Sequence, residues 1–148
     1  KSKVNLAKPE AKVTTPITSA IKALNKLCIN KISIFTPYTK TINDSVVSYF
    51  KKKNILVNSL TYFDIDSDLD IGKVDENYLF EVLSKIDLEG SDALFVSCTA
   101  LPVLSIIDKL EKKLNKVVLS SNQTLIWDSF NQINYKKKIE GFGRLFNS

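Results

Sequence analysis

Histidine is absent from the sequence. That excludes Ser-His-Asp and Cys-His nucleophile activation within this chain, and it removes the usual histidine metal ligands. Acid–base work therefore falls to cysteine, carboxylates, lysine or tyrosine. Methionine is absent too; a natural full-length product starts with one, so either the first residue was removed or this is a piece of a longer protein. Cysteine occurs only at Cys28 and Cys98, far apart, with neither a disulfide framework nor a zinc spacing, so a reducing cytoplasm is the default location. Arginine occurs once, at Arg144, and the net charge of +5 is carried by lysine. Nucleic-acid readers lean on arginine for bidentate contacts, whereas the Lys51–Lys53 and Lys136–Lys138 runs end amphipathic segments as solvated helix ends do; no nucleic-acid partner is expected. No apolar run approaches the roughly 20 residues that span a bilayer, no signal peptide is visible, and no membrane partner is expected. GxGxxG and GxxxxGK[ST] are both missing, so dinucleotide or nucleoside-triphosphate binding has no motif behind it.

What is present is enough for one ordinary domain: 148 residues, 44% hydrophobic and 25% charged, the make-up of a soluble globular protein with a real core. The stretch DALFVSCTALP, residues 92–102, organises the rest. Ala93 to Ser97 reads as a short strand buried on both faces, ending in Cys98-Thr99 before Pro102 opens a helical pattern. In open α/β sheets ligands collect outside the carboxyl ends of the strands, beside helix N-termini that attract anions. A thiol there is a candidate for chemistry; the alternative is a buried free cysteine acting as a small hydrophobe.

In chain order, Lys1 to Val13 is polar and broken by Pro9, a short helix and a connector. Thr14-Thr15-Pro16 caps a helix carrying Ile17, Ile21, Leu24 and Leu27 on one face, with Cys28 expected to pack at its end. Ile32 to Phe35 is a strand, followed by the Thr36–Thr39 loop and a helix from about Thr41 or Asn43 with Val46, Val47 and Phe50 inward. Asn54 turns into a strand over Ile55–Phe63. The alternating acids of Asp64–Gly72 invite a calcium reading, but counting from Asp64 the positions that need glycine and glutamate hold Leu69 and Asp75; a polar loop whose acids cap the next helix is the reading preferred. That helix, about Asp75–Ile86, should turn Tyr78, Leu79, Val82, Leu83 and Ile86 inward. A helix over Pro102–Leu114, a strand over Val117–Leu119 and a helix capped by Ser120-Ser121-Asn122 and reaching Ile133 complete the chain.

The fold class is therefore α/β, a parallel sheet of about four strands flanked by helices. Three strand ends, Thr36–Thr39, Ser97–Thr99 and Ser120–Asn122, converge on one side of it. Their hydroxyls, phenol, thiol and amide suit a small carboxylate held by neutral donors.

VTTPITSA at 13–20, FTPYTKTIN at 35–43, DIGKVD at 70–75, DALFVSCTALP at 92–102, SSNQTLIW at 120–127 and GFGRLF at 141–146 fall in a familiar order and spacing. Together they resemble the maleate isomerase and arylmalonate decarboxylase branch of the aspartate/glutamate racemase superfamily, which also includes racemase-like proteins of ectoine utilisation. The resemblance implies one lobe of a two-lobe, cofactor-free enzyme whose site lies between the lobes, with one cysteine from each. On it, Cys98 is the second-lobe catalytic cysteine, Tyr38 donates to a substrate carboxylate, and the backbone N–H groups of Thr99 and Ala100 belong to the same anion pocket. Asp68 stands where maleate isomerases usually carry a substrate-holding asparagine, and a carboxylate there would repel a dicarboxylate. The first lobe would lie upstream of Lys1. Residues 1–13 would be its remnant and connector, 14–120 the second lobe, and 121–148 a helix and tail returning toward the first lobe. The activity implied is cofactor-independent isomerisation or racemisation of a small mono- or dicarboxylic acid by paired cysteines, of the maleate cis–trans isomerase kind, incomplete in this fragment. The partners implied are the substrate, the first lobe and a homodimer mate. An arylmalonate-type decarboxylase, or a carboxylate-binding domain without catalysis, is the alternative.

Overall fold

The computed structural model describes residues 2–135 and 137–147; Lys1 and Lys136, the latter heading the second lysine run, lie outside them. Four strands form one parallel sheet in the order β2-β1-β3-β4: β1 Lys31–Thr36, β2 Leu56–Tyr62, β3 Ala93–Val96 and β4 Val117–Ser120. The helices are α1 Ser2–Ala7, α2 Pro16–Lys26, α3 Lys40–Lys52, α4 Asp68–Ile71, α5 Glu76–Leu83, α6 Ile107–Leu114 and α7 Ser121–Gln132. No helix among the described residues is long and apolar enough to cross a membrane.

Strand alternation builds a three-layer sandwich. Leu94 and Val96 of β3, with Phe35 and Val118, face a core completed by Leu79, Leu83, Ile106, Ile107 and Leu110. Ala93 and Phe95, with Ile32, Ile34 and Leu119, face a second core completed by Ala20, Ala23, Leu24 and Phe50. Phe35, Phe50 and Phe95 are fully buried, each contributing roughly 1.5–3 kcal/mol through the apolar surface it removes from water.

Local chemistry sets the chain's entry into the strands that carry the site. Thr15 caps α2 through its hydroxyl, which accepts from the Thr18 N–H, and Pro16 occupies the first turn. At the other end Cys28 has φ 55°, its N–H donates to Asn25 O, and Ile29 N–H reaches back to Leu24 O, the two bonds of a Schellman closure. Cys28 is exposed, so the expectation that it packs is corrected: it supplies a left-handed backbone, a property apolar periodicity does not register. Asn54, φ 60°, repeats the device after α3, with Asn54 N–H on Lys51 O and Ile55 N–H on Phe50 O.

Two boundaries and the orientation of one side chain also differ from the sequence reading. Pro102 does not open a helix: residues 97–103 form a loop, a 3-10 turn follows at Leu104–Ile106, and α6 starts only at Ile107. Tyr78 is 55% exposed rather than inward, because its ring stacks on Phe63, centroids 6.0 Å apart, outside the core. Asp64–Gly72 is not all loop, since Ser67 caps the short helix α4 there.

The Gly141–Phe146 segment is sewn onto this lobe. Leu145 is fully buried, Gln123 Nε2 donates to Phe142 O at 2.6 Å, and the Arg144 N–H donates to Glu111 Oε2 at 2.8 Å. Gly143, φ +83°, lies so close to α6 that a Cβ would stand 2.7 Å from Ile107 Cγ2.

Candidate active site

The chain passes from β1 to β2 on one side and, after β2, to β3 on the other, so the loops leaving β1 and β3 diverge. Such a topological switch point leaves a crevice at the strands' carboxyl ends. Tyr38 follows β1 and Cys98 follows β3, and Phe35 pairs with Val96 in the register between them. The crevice is a cleft of about 530 Å³ lined by Tyr38, Asp68, Cys98, Thr99 and Ala100, with Ile42, Ile65, Asp66 and Ile71 completing its walls. All five site residues singled out in the sequence thus meet in one place.

Cys98 is 3% exposed yet contributes to the cleft. Its sulfur accepts from the Ala100 N–H at 3.3 Å. The Ala100 donor is therefore aimed at the sulfur, and of the two N–H groups expected in an anion pocket only that of Thr99 lacks an acceptor among the described residues. Asn122 at the head of α7 donates to the Thr99 carbonyl at 2.9 Å and ties the third strand end to the Cys98 loop. Because the next helix begins at Ile107, the groups that face the sulfur come from its own loop and from Tyr38, not from a helix N-terminus.

Burial is the largest influence on the Tyr38 phenol, followed by the nearby Cys98 thiol and by the Asp68 carboxylate; all push its ionisation well above the ordinary tyrosine value of 10.0. A phenol held in its neutral form is a hydrogen-bond donor, not a base. Its position is fixed by Thr36, the first residue of the expected rim, and by Asn43, which the sequence reading had not assigned to the site. The buried Thr36 hydroxyl accepts from the Tyr38 N–H at 3.2 Å and donates to Asn43 Oδ1 at 2.5 Å, while Asn43 Nδ2 donates to the Tyr38 carbonyl at 2.9 Å. Asn43 is fully buried. Its signal was there: it lies three, four and seven positions before Val46, Val47 and Phe50, on the inward stripe of α3, where an amide needs internal partners.

The alternating acids do not gather into a cation cage. Among the described residues no three Cys, Asp or Glu side chains come together in a way that could hold a metal ion. Asp70 pairs with Lys73 at 2.8 Å and Asp75 caps α5 through the Tyr78 N–H, leaving Asp66 and Asp68 on the cleft wall. The arrangement as a whole can hold a small anion by neutral donors and move a proton at a sulfur.

Known proteins resemble this chain along nearly its whole length. A maleate isomerase from Geobacillus stearothermophilus is 26% identical over 138 residues, covering 93% of this chain and 55% of that protein. An arylmalonate decarboxylase from Bordetella bronchiseptica is 23% identical over 137 residues, covering 90% of this chain and 57% of that one. The chain thus spans about half the length of these relatives. Among solved structures, a cysteine-to-serine mutant of Nocardia farcinica maleate cis-trans isomerase with a covalently bound succinylcysteine intermediate superposes with a TM-score of 0.91 at 18% identity, covering 98% of this chain and 60% of that one. The arylmalonate decarboxylase family matches residues 6–146, nearly the whole chain, and the chain belongs to that family.

Proposed function

We propose that this lobe forms half of a cofactor-independent isomerase or racemase of a small carboxylic acid, with Cys98 as the proton-transfer thiol and Tyr38 as a donor to the substrate's carboxylate. The observation that carries the reading is the Cys98 sulfur itself: it sits at the switch point of the sheet, with the Ala100 N–H donating to it, in a cleft that the Tyr38 phenol also lines. Membership of a family whose relatives include maleate isomerases and an arylmalonate decarboxylase supports it.

A proton beside a carboxylate is weakly acidic, and its removal becomes feasible when base and developing charge are both positioned. The Cys98 sulfur takes the proton, the C–H electron pair moves into the carboxylate to give an ene-diolate, and Tyr38 with the Thr99 N–H holds that charge. A second thiol, from a first lobe preceding residue 14, returns a proton to the opposite face. If that thiol instead adds to a double bond, rotation about the resulting single bond and expulsion of the same thiolate re-form the double bond in the other geometry, a cis–trans isomerisation. If a carboxylate leaves first, Cys98 protonates the carbanion and the outcome is decarboxylation, the reading that the family match keeps open. The first lobe would dock along the 121–148 region, where Trp127, Phe130, Tyr135 and Phe146 line an open groove, and a homodimer is the assembly to look for.

Turnover of maleate, aspartate and arylmalonate by the full-length protein tests the proposal. Cys98→Ser is expected to abolish it with the fold intact; undiminished activity in that variant would remove Cys98 from the mechanism.

A further inference from the structure

We propose that Asn122 is a positioning residue for Cys98: by pinning the Thr99 carbonyl it turns the N–H of the same peptide group toward the sulfur and holds it there. This rests on the reading of Cys98 as the proton-transfer thiol and assigns a residue that acts on that thiol through a backbone group.

The geometry of one peptide carries the inference. The Thr99 carbonyl and the Ala100 N–H belong to a single planar unit, in which the two groups point in opposite directions. Asn122 Nδ2 donates to the carbonyl at 2.9 Å, and the N–H donates to Cys98 Sγ at 3.3 Å. The peptide is thus gripped at its oxygen and aims its hydrogen at the sulfur. Turned over, the same peptide would set a carbonyl oxygen against the sulfur and oppose negative charge there. The Asn122 bond disfavours that orientation. It also polarises the unit, because a carbonyl that accepts a hydrogen bond makes its own N–H a better donor.

The gripping residue stands on a stiff element and the gripped peptide does not. Strand β3 pairs with β4 through Val96 and Ser120, which brings the head of α7 beside the Cys98 loop. Ser120 and Gln123 close a capping box at that head, with bonds of 3.2 Å and 3.3 Å. Gln123 is fully buried and donates onward to Phe142 O at 2.6 Å. The Cys98 loop, by contrast, leaves β3 after Val96 and enters no helix or strand before Leu104. An amide fixed on α7 therefore orients a peptide that its own segment leaves free to turn.

The test measures, in the full-length protein, the rate at which iodoacetamide alkylates Cys98 as a function of pH, with peptide mass spectrometry separating that thiol from exposed Cys28. The thiolate is the reactive form, so the midpoint of the profile reports how readily the sulfur gives up its proton. In Asn122→Ala the Cys98 midpoint should rise by about 0.5 to 1 pH unit, a roughly threefold to tenfold loss of thiolate below it, while the Cys28 profile stays in place. Asn122→Asp keeps the shape and loses the donor, and should move the midpoint at least as far. Both replacements suit the first turn of a helix, so α7 should form as in the parent. The factor lost from kcat/KM should match the loss of thiolate below the midpoint and vanish above it, a pH signature that a purely structural role would not leave. A Cys98 midpoint unmoved in both variants overturns the inference while leaving Cys98 proton transfer standing. A raised midpoint with turnover unchanged at every pH upholds the hold of Asn122 on the sulfur and removes Cys98 from the reaction instead.

Discussion

Asn43, fully buried on α3, donates a 2.9 Å hydrogen bond to the backbone carbonyl of Tyr38. With Thr36 Oγ1 bridging from the end of β1 to Asn43 Oδ1 and to the Tyr38 N–H, the backbone of Tyr38 is held on both sides. A loop residue thereby acquires the positional precision of the sheet, which a donor to a developing charge requires.

Replacing that amide should separate positioning from binding. Asn43→Leu leaves the Tyr38 carbonyl and the Thr36 hydroxyl without their partner in a dry interior, a cost of about 1–3 kcal/mol of stability per unsatisfied group. Asn43→Asp keeps the acceptor for Thr36 but sets a second acceptor against the Tyr38 carbonyl and buries a carboxylate, so some loss of stability accompanies it as well. The expected result is that Asn43→Asp folds and binds substrate with little change in KM, while kcat falls about tenfold in the full-length protein. Thermal denaturation alongside steady-state kinetics distinguishes the two effects; a loss confined to stability would reduce Asn43 to a packing role.

The phenol that this frame positions should behave as a permanent donor. Burial, then Cys98, then Asp68 raise its ionisation above 10.0, so Tyr38 remains neutral across the range in which an enzyme works. A raised value in the fold also means that its contribution to stability is complete below 10.0 and is lost as the pH climbs through the shifted value. Ultraviolet titration of wild type against Tyr38→Phe should show the missing phenolate signal above 10.0. The same variant should lower kcat/KM by about tenfold to a hundredfold. A phenolate appearing below 10.0 would make Tyr38 a base and reverse its assignment.

The features legible in the sequence were those whose causes are local. Thr15 and Pro16 announce the start of α2 within three residues, and short apolar runs place β1, β3 and β4. Parallel strands in alternation with helices then bring Tyr38 and Cys98 to one side of the sheet without any contact being known. What escaped depends on distant partners or on backbone conformation. The helix expected at Pro102 is deferred because Leu101, Val103 and Ile106 first enter the core from a loop and a 3-10 turn. Tyr78 keeps helical spacing with Leu79 and Val82 but spends its ring on Phe63. Asp128 gives no sign in α7 of its role, since Thr14, Ser19 and Lys22 all come from the other end of the chain.

That carboxylate is the clearest electrostatic joint of the fold. Asp128 is 3% exposed and accepts from Lys22 Nζ at 2.7 Å, Thr14 Oγ1 at 2.5 Å and Ser19 Oγ at 3.2 Å, pinning α7 to α2. Burial alone would raise its ionisation; the bonds from Lys22, Thr14 and Ser19 together outweigh that and hold it below 3.8. A carboxyl depressed in the fold stabilises it above its unfolded value, and that stabilisation is lost as the pH falls through the folded one. Lys22 is partly solvated, its side chain 40% exposed, which discounts the pair, so Asp128→Asn should cost about 1–3 kcal/mol at neutral pH. Denaturant unfolding of the two proteins should show that gap intact above 3.8 and closing as the pH drops below it. A gap that persists undiminished in acid would mean that shape, not charge, joins α2 to α7.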